Sequence, residues 1–267
     1  MQRALSGRPI PTDQATKSMM KFRRRILHPF WFARAVVAHR RSSGNDLVLA
    51  TFLAAIAGAA NAGGFFALGQ YTSHMTGYLS QLADNIVIPD LWVAFVSALA
   101  ISAFIAGASF STILIIWARR SASRQQYAWP LAVQGGLMVC FSWGGIFSSD
   151  VGRLFSLACL CFIMGMQNAT ITKISSARIR TTHATGMITD IGIEVGRALF
   201  RVARPSSGIR ADATRLRILV RLVLSFLCGG IVGAIGYGQM GFFFSLPLAL
   251  ILLGLSVPAL LSEATRK

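Results

Sequence analysis

Residues 72–77 read TSHMTG, and residues 181–186 read TTHATG. The two stretches share the pattern Thr-[Ser/Thr]-His-x-Thr-Gly at an offset of 109 positions. A Gly-x-x-Asn pair precedes each copy at an offset of 107, as Gly58 with Asn61 and as Gly165 with Asn168. Self-similarity of this kind predicts a chain built from two related halves, and it therefore decides how the remaining elements are grouped.

Six apolar stretches surround these motifs. The chain has 267 residues, of which 54% are hydrophobic and 13% charged, whereas a soluble domain has about 25% charged residues. A helix needs about 20 apolar residues to cross roughly 30 Å of hydrocarbon. The predicted spans are 47–68, 91–118, 128–147, 154–171, 218–237 and 242–261. The sequence therefore predicts an all-α integral membrane protein with six transmembrane helices.

Basic residues alternate between the two sides of the predicted membrane. Ten Lys and Arg precede the first span, three follow the second, nine follow the fourth and two follow the sixth, whereas the other three loops together hold one. Positive charge is retained on the cytoplasmic side, so both termini are predicted to be cytoplasmic. The net charge of +17 is then explained by topology, and nucleic acid is not expected as a partner. Residues 1–45 form a basic tail that is expected to meet anionic lipids; a disordered tail that only sets topology is the alternative.

The two motifs divide the spans into two units of three. Repeat 1 occupies about 46–147 and repeat 2 about 153–262, within a membrane domain of 46–262. An odd number of crossings turns the second unit upside down, so we predict inverted three-helix repeats. The segment after each first span is too short or too charged to cross, and Asp190, Glu194, Arg197 and Arg201 share one helical face. Each unit is therefore predicted to contain one short re-entrant or interfacial helix.

The motifs also supply the candidate site. Thr76 and Thr185 are predicted to cap the short helices, and Gly77 and Gly186 permit close approach of backbone. A helix N-terminus within a membrane carries unpaired N–H groups and about half a positive charge, which suits an anionic guest. Each motif adds an imidazole, which either takes part in function or is only a hydrogen-bond partner. The candidate substrate-binding residues are Asn61, His74, Thr76, Gly77, Asn168, His183, Thr185 and Gly186. Two histidines supply too few ligands for a metal, and no cofactor is expected.

Three stretches resemble the YoaK family. They are GGFFALG at 63–69 leading into MTG at 75–77, GMQNA at 165–169, and TTHATGM at 181–187, and the likeness extends over about 45–262. The resemblance implies a bacterial six-span inner-membrane protein whose function is not known, and it implies no substrate. The family commonly has Asn after the first Met-Thr-Gly, where this chain has Tyr78. A role for that amide is not expected here.

Transport of a small solute, with anions as natural guests, is the leading functional hypothesis. The site is expected between the two halves, where paired breaks in the helices would line a cavity. A membrane scaffold or regulatory subunit, or a channel, are the alternatives. Catalysis is not expected, because the chain lacks a Gly-rich phosphate loop, a His-Glu-x-x-His pair and a Gly-x-Ser-x-Gly elbow. Gly229 and Gly233 suit close helix packing, either within the chain or in a homo-oligomer.

Overall fold

The computed structural model describes residues 43–88, 90–121, 125–143, 149–174 and 184–264. These residues form eight α-helices and two short 3-10 turns, and no strand occurs among them. The helices are α1 (Ser43–Leu68), α2 (Met75–Val87), α3 (Leu91–Arg120), α4 (Ala128–Ser142), α5 (Asp150–Ile174), α6 (Ala184–Ala203), α7 (Ala213–Met240) and α8 (Ser245–Ala264). The 3-10 turns are Pro205–Ser207 and Gly241–Phe244.

Local chemistry accounts for the helix ends. The side chain of Asp90 accepts hydrogen bonds from the N–H groups of Trp92 and Val93 at the start of α3. Asp212 caps α7 in the same way. The C-terminal end of α1 is followed by Gly69, which has φ +70° and whose N–H donates to the carbonyl of Phe65. Glycine adopts this left-handed conformation without a side-chain clash, so α1 stops there.

Four stretches of the described residues are long and apolar enough to cross a membrane: 46–66, 91–120, 150–173 and 213–262. The last stretch holds two helices, α7 and α8, which Gly241 separates at φ +55°. The apolar helix α4 is shorter, with 15 residues. The chain is therefore an all-helical membrane protein in which α1 and α5 lie at the centre, because 61% of each of their apolar windows is buried against 22% for α3.

The largest helix contacts join the two halves of the chain. Helix α1 packs most closely on α7, and α5 packs most closely on α3. Helices α4 and α8 pack on each other, while α1 also contacts α5. The short helices α2 and α6 rest on the neighbouring helices α3 and α7 respectively. The first helix of each half is thus held mainly by a helix of the other half.

Glycines set the closeness of the two main contacts. A Cβ at Gly58 of α1 would lie 2.9 Å from the carbonyl carbon of Phe226 in α7. A Cβ at Gly229 of α7 would lie 2.6 Å from the carbonyl carbon of Ala55 in α1. Neither position leaves room for a side chain, so the two backbones touch directly. Small residues allow this approach, and van der Waals packing then holds the helices together in lipid.

The contact between α5 and α3 is made in the same manner. A Cβ at Gly165 would lie 2.9 Å from the carbonyl carbon of Phe104, and a Cβ at Gly107 would lie 2.7 Å from that of Phe162. Each of these contact residues in α5 lies 107 positions after its counterpart in α1. Each contact residue in α3 lies 122 positions before its counterpart in α7. The capping residues Asp90 and Asp212 also differ by 122. The two helix pairs therefore make matched contacts at equivalent positions.

Candidate functional site

The first helix break lies between α1 and α2, and Asn61 holds it. The Asn61 Oδ1 atom accepts a hydrogen bond from the backbone N–H of Ser73 at 3.1 Å and another from the Ser73 hydroxyl at 2.9 Å. One amide oxygen therefore satisfies two donors of the loop that follows Gly69. The sequence made Asn61 a candidate substrate-binding residue, and in the structure its side chain joins α1 to the loop before α2.

Thr72 lies in the same loop and is fully buried. Its Oγ1 atom has no hydrogen-bond partner among the described residues. Its methyl group lies against Gly64, where a Cβ would come within 2.6 Å of Thr72 Cγ2. A buried hydroxyl without a partner costs about 1–3 kcal/mol. Thr72 is therefore a buried polar group beside the first break whose hydrogen-bonding capacity no described residue satisfies.

The motif residues of the first break surround the start of α2. His74 is the capping residue, its side chain makes no capping hydrogen bond, and its carbonyl accepts from the N–H of Tyr78 at 3.2 Å. The His74 ring is exposed and packs over Gly77. Thr76 is exposed and is already the second residue of α2. The prediction that Thr76 caps this helix is therefore wrong, because the His74 carbonyl begins the helical hydrogen bonds.

Tyr78 occupies the position where the resemblance leads one to expect an amide. Its ring is buried with Ala100, Leu157 and Cys161, in a cluster between α2, α3 and α5. Its hydroxyl has no partner among the described residues. Tyr78 therefore joins α2 to the bundle mainly through the packing of its ring.

The second break is described only on its flanks. Helix α5 ends at Ile174 and α6 begins at Ala184, so His183 lies outside the described residues. Thr185 and Gly186 are exposed, as the second and third residues of α6. Thr185 is therefore inside the helix, and the prediction that it is the capping residue is wrong. Asn168, the counterpart of Asn61, lies half-buried on α5.

A buried polar cluster was missed by the sequence reasoning. Thr170 of α5 donates to the carbonyl of Met166, and its hydroxyl oxygen lies 2.8 Å from Ser111 Oγ and 3.5 Å from Gln134 Nε2. Gln134, Thr170 and Ser111 are all fully buried. Polar side chains in apolar spans are costly unless they have partners or a function. That cost is the signal that would have singled them out from the sequence.

Two amide oxygens near this cluster have no partner. Gln167 is fully buried, and its Nε2 donates to the carbonyl of Leu53, which leaves Oε1 unpaired among the described residues. The Oε1 atom of Gln134 is unpaired in the same way, because its Nε2 faces the Thr170 oxygen. In each amide the NH₂ group already donates to a protein oxygen, so what the unpaired carbonyl oxygen lacks is a hydrogen-bond donor. These oxygens suit a hydroxyl group, a water molecule or an ammonium group.

Helix α6 carries the charged face that the sequence predicted. Glu194 is 1% exposed, and its carboxylate accepts from Arg197 Nη1 at 2.8 Å and from the backbone N–H of Asp212 at 2.9 Å. Arg215 of α7 pairs with Asp190 at 3.0 Å. The carboxylates of α6 are thus used to fix α6 on the start of α7. In the other half a neutral bond does this, from the Ser97 hydroxyl to Gln81 Oε1 at 3.2 Å.

Comparison with known proteins gives one match. The family model described as a protein of unknown function, DUF1275, matches residues 49–257. No curated protein and no solved structure matches the sequence. The match spans most of the chain and includes both helix breaks and the buried amides, and proteins of the YoaK type belong to this family, which confirms the resemblance. The chain is a member of the DUF1275 family of proteins of unknown function.

Proposed function

We propose that this protein transports a small polar solute across the bacterial inner membrane, through a site between two inverted halves. In this proposal α1, α3, α4, α5, α7 and α8 are the six spans, and both termini are cytoplasmic. Helices α2 and α6 then lie on opposite sides as re-entrant or interfacial elements. Transport, rather than catalysis, is the activity proposed.

The matched packing supports two halves of common design. Contacts at Gly58 and Gly165 are related by the same shifts as those at Gly107 and Gly229. Three spans in each half would give the halves opposite directions. Helix α6 is held on α7 by ion pairs, whereas α2 is held on α3 by a hydrogen bond between neutral side chains. This difference agrees with a position of α6 on the basic cytoplasmic side.

The observation that carries the proposal is the set of buried oxygens without partners. Thr72 Oγ1 lies at the first break, and Gln134 Oε1 and Gln167 Oε1 lie inside the bundle. Polar groups held inside a membrane domain are costly, so they mark a path or a site more often than a simple core. The oxygens favour a solute with hydrogen-bond donors, and the helix starts favour an anionic group. A small solute that carries both is the proposed class.

Transport can be tested with the purified full-length protein in liposomes. Small hydroxy acids and amino acids are first screened for thermal stabilisation, because a ligand that prefers the folded state raises its stability. Uptake of the best ligand is then compared between the wild type and Gln134→Leu. Ser256→Ala is the matched control, because Ser256 is fully buried but its hydroxyl is satisfied by the carbonyl of Leu252.

We expect Gln134→Leu to abolish most of the uptake while the protein melts at the same temperature or higher, because a buried unpaired oxygen is removed. The Ser256→Ala variant should keep its uptake. Full uptake by Gln134→Leu would exclude this amide from the site. Absence of any stabilising solute and of any flux would favour the scaffold hypothesis, and flux too fast for a conformational cycle would indicate a channel.

A further inference from the structure

A groove on the outer surface of the α1–α7 pair is separate from the buried site. It is a shallow, wide-open groove of about 510 Å³, and the surface of its lining is almost entirely apolar. Its lining residues are Ala55 of α1 and Arg217, Val220, Arg221, Leu224, Ser225 and Cys228 of α7. The groove therefore runs along α7, from two arginines at one end to small and apolar side chains at the other.

The two arginines have no acidic partner among the described residues. Arg217 and Arg221 are four positions apart, so both lie on the same face of α7. Asp190 and Glu194 of the neighbouring helix α6 are paired with Arg215 and Arg197 instead. Both groove arginines are exposed. An arginine on the rim of a membrane span extends toward the interface, where phosphate groups lie.

We propose that this groove binds an anionic phospholipid, with its phosphate on Arg217 and Arg221 and one acyl chain along Leu224, Cys228 and Ala55. The guanidinium fork matches a phosphate oxygen pair, and two such groups on one face hold a single headgroup from two directions. The charge pattern of the loops puts this end of α7 on the cytoplasmic side, where anionic headgroups are met by basic residues between spans. The proposal depends on α7 crossing the membrane, and it does not depend on transport.

The basic tail of the chain is a poor occupant of the same groove. Residues 1–45 carry ten basic residues and one acidic residue, so they repel the two arginines rather than neutralise them. An acyl chain with an anionic head matches both the apolar length of the groove and its charged end. The occupant is therefore a lipid rather than a segment of this chain.

Binding is tested on the full-length protein in detergent, by thermal stabilisation on titration with phosphatidylglycerol, phosphatidylcholine and inorganic phosphate. The variant is Arg217→Gln with Arg221→Gln. The matched control is Arg201→Gln with Arg204→Gln, which removes one exposed arginine from the last turn of α6 and one that directly follows this helix. Native mass spectrometry counts the lipids that remain bound to each protein.

We expect phosphatidylglycerol to stabilise the wild type and the control at similar concentrations, with phosphatidylcholine much weaker. Each groove arginine contributes to holding the headgroup, so the double variant should need at least about tenfold more phosphatidylglycerol to reach the same thermal stabilisation. Equal response of the variant and the control would overturn the proposal. Equal stabilisation by phosphatidylglycerol and phosphatidylcholine would also overturn it. Inorganic phosphate that stabilises the protein as much as phosphatidylglycerol does would overturn it too, because it would indicate an anion site without an acyl chain.

Discussion

Replacement of Gly58 by alanine tests the central packing of the molecule. A Cβ at this position would lie 2.9 Å from the carbonyl carbon of Phe226, and its oxygen is closer still. The obstacle is backbone, so no side-chain rotation relieves it. Ordinary contact begins near 3.4 Å, and the Phe226 oxygen limits the approach more than its carbonyl carbon does, so α1 and α7 must separate by more than about 1 Å. A gap of about 0.5–1 Å removes a quarter to a half of the dispersion attraction across an interface.

The net effect combines a loss and a gain. Overpacking costs about 1–3 kcal/mol, and a backbone obstacle belongs at the upper end of that range. Alanine is about 1 kcal/mol better than glycine within a helix, which offsets part of the cost. We expect a net loss of about 2 kcal/mol, or a melting temperature roughly 5 °C lower. The measurement is thermal melting of the purified protein in detergent, at one scan rate for every variant.

The control is Gly254→Ala in α8, because a Cβ there has no atom within 4 Å. This variant gains only the helix preference, so its melting temperature should stay the same or rise. The effects of the two substitutions thus have opposite signs. Gly165→Ala should resemble Gly58→Ala, because its Cβ would also lie 2.9 Å from a backbone carbonyl carbon. If Gly58→Ala melts like Gly254→Ala, the close approach of α1 and α7 is refuted.

Three further predictions concern polar contacts. Asn61→Leu leaves two donors of Ser73 unpaired and should cost about 1–3 kcal/mol, seen as a lower melting temperature; an unchanged value would contradict the role of Asn61. Glu194→Ala should loosen α6 by a similar amount, about 1–3 kcal/mol, measured as faster hydrogen exchange confined to α6 and the start of α7. Asp90→Ala and Asp212→Ala should each cost about 1 kcal/mol of stability, because each removes a helix cap, and a loss from only one of them would contradict their equivalence.

The helix positions could be predicted from the sequence because the apolar stretches are long and clearly bounded. The predicted span 91–118 and the helix Leu91–Arg120 begin together, since Asp90 is the cap. The break between α1 and α2 was also predicted, because the segment after the motif at 72–77 is too short to cross a membrane. The resemblance to the YoaK family was also found from short sequence motifs, and the family match over residues 49–257 confirms it.

The partners of the helices could not be predicted in this way. Gly58 marks a face suited to close contact, but a face does not say whether α3 or α7 covers it. The capping prediction for Thr76 failed because side-chain preference is weaker than the path of the loop, which makes His74 the first helical acceptor. Gln134 was missed because it lies outside the repeated motifs, and its importance depends on burial that only the three-dimensional arrangement reveals.

The packing of α1 on α7 and of α5 on α3 has a consequence for the order in which the helices assemble during synthesis. Helix α5 reaches the membrane after α3, so its partner is already in place. Helix α1 must wait for α7, which begins about 145 residues after α1 ends. During that interval the glycine face of α1 is without its partner and must be shielded by lipid or by other membrane components. The two equivalent helices therefore assemble differently, because α5 meets its main partner on entry, whereas α1 waits until most of the chain has been made.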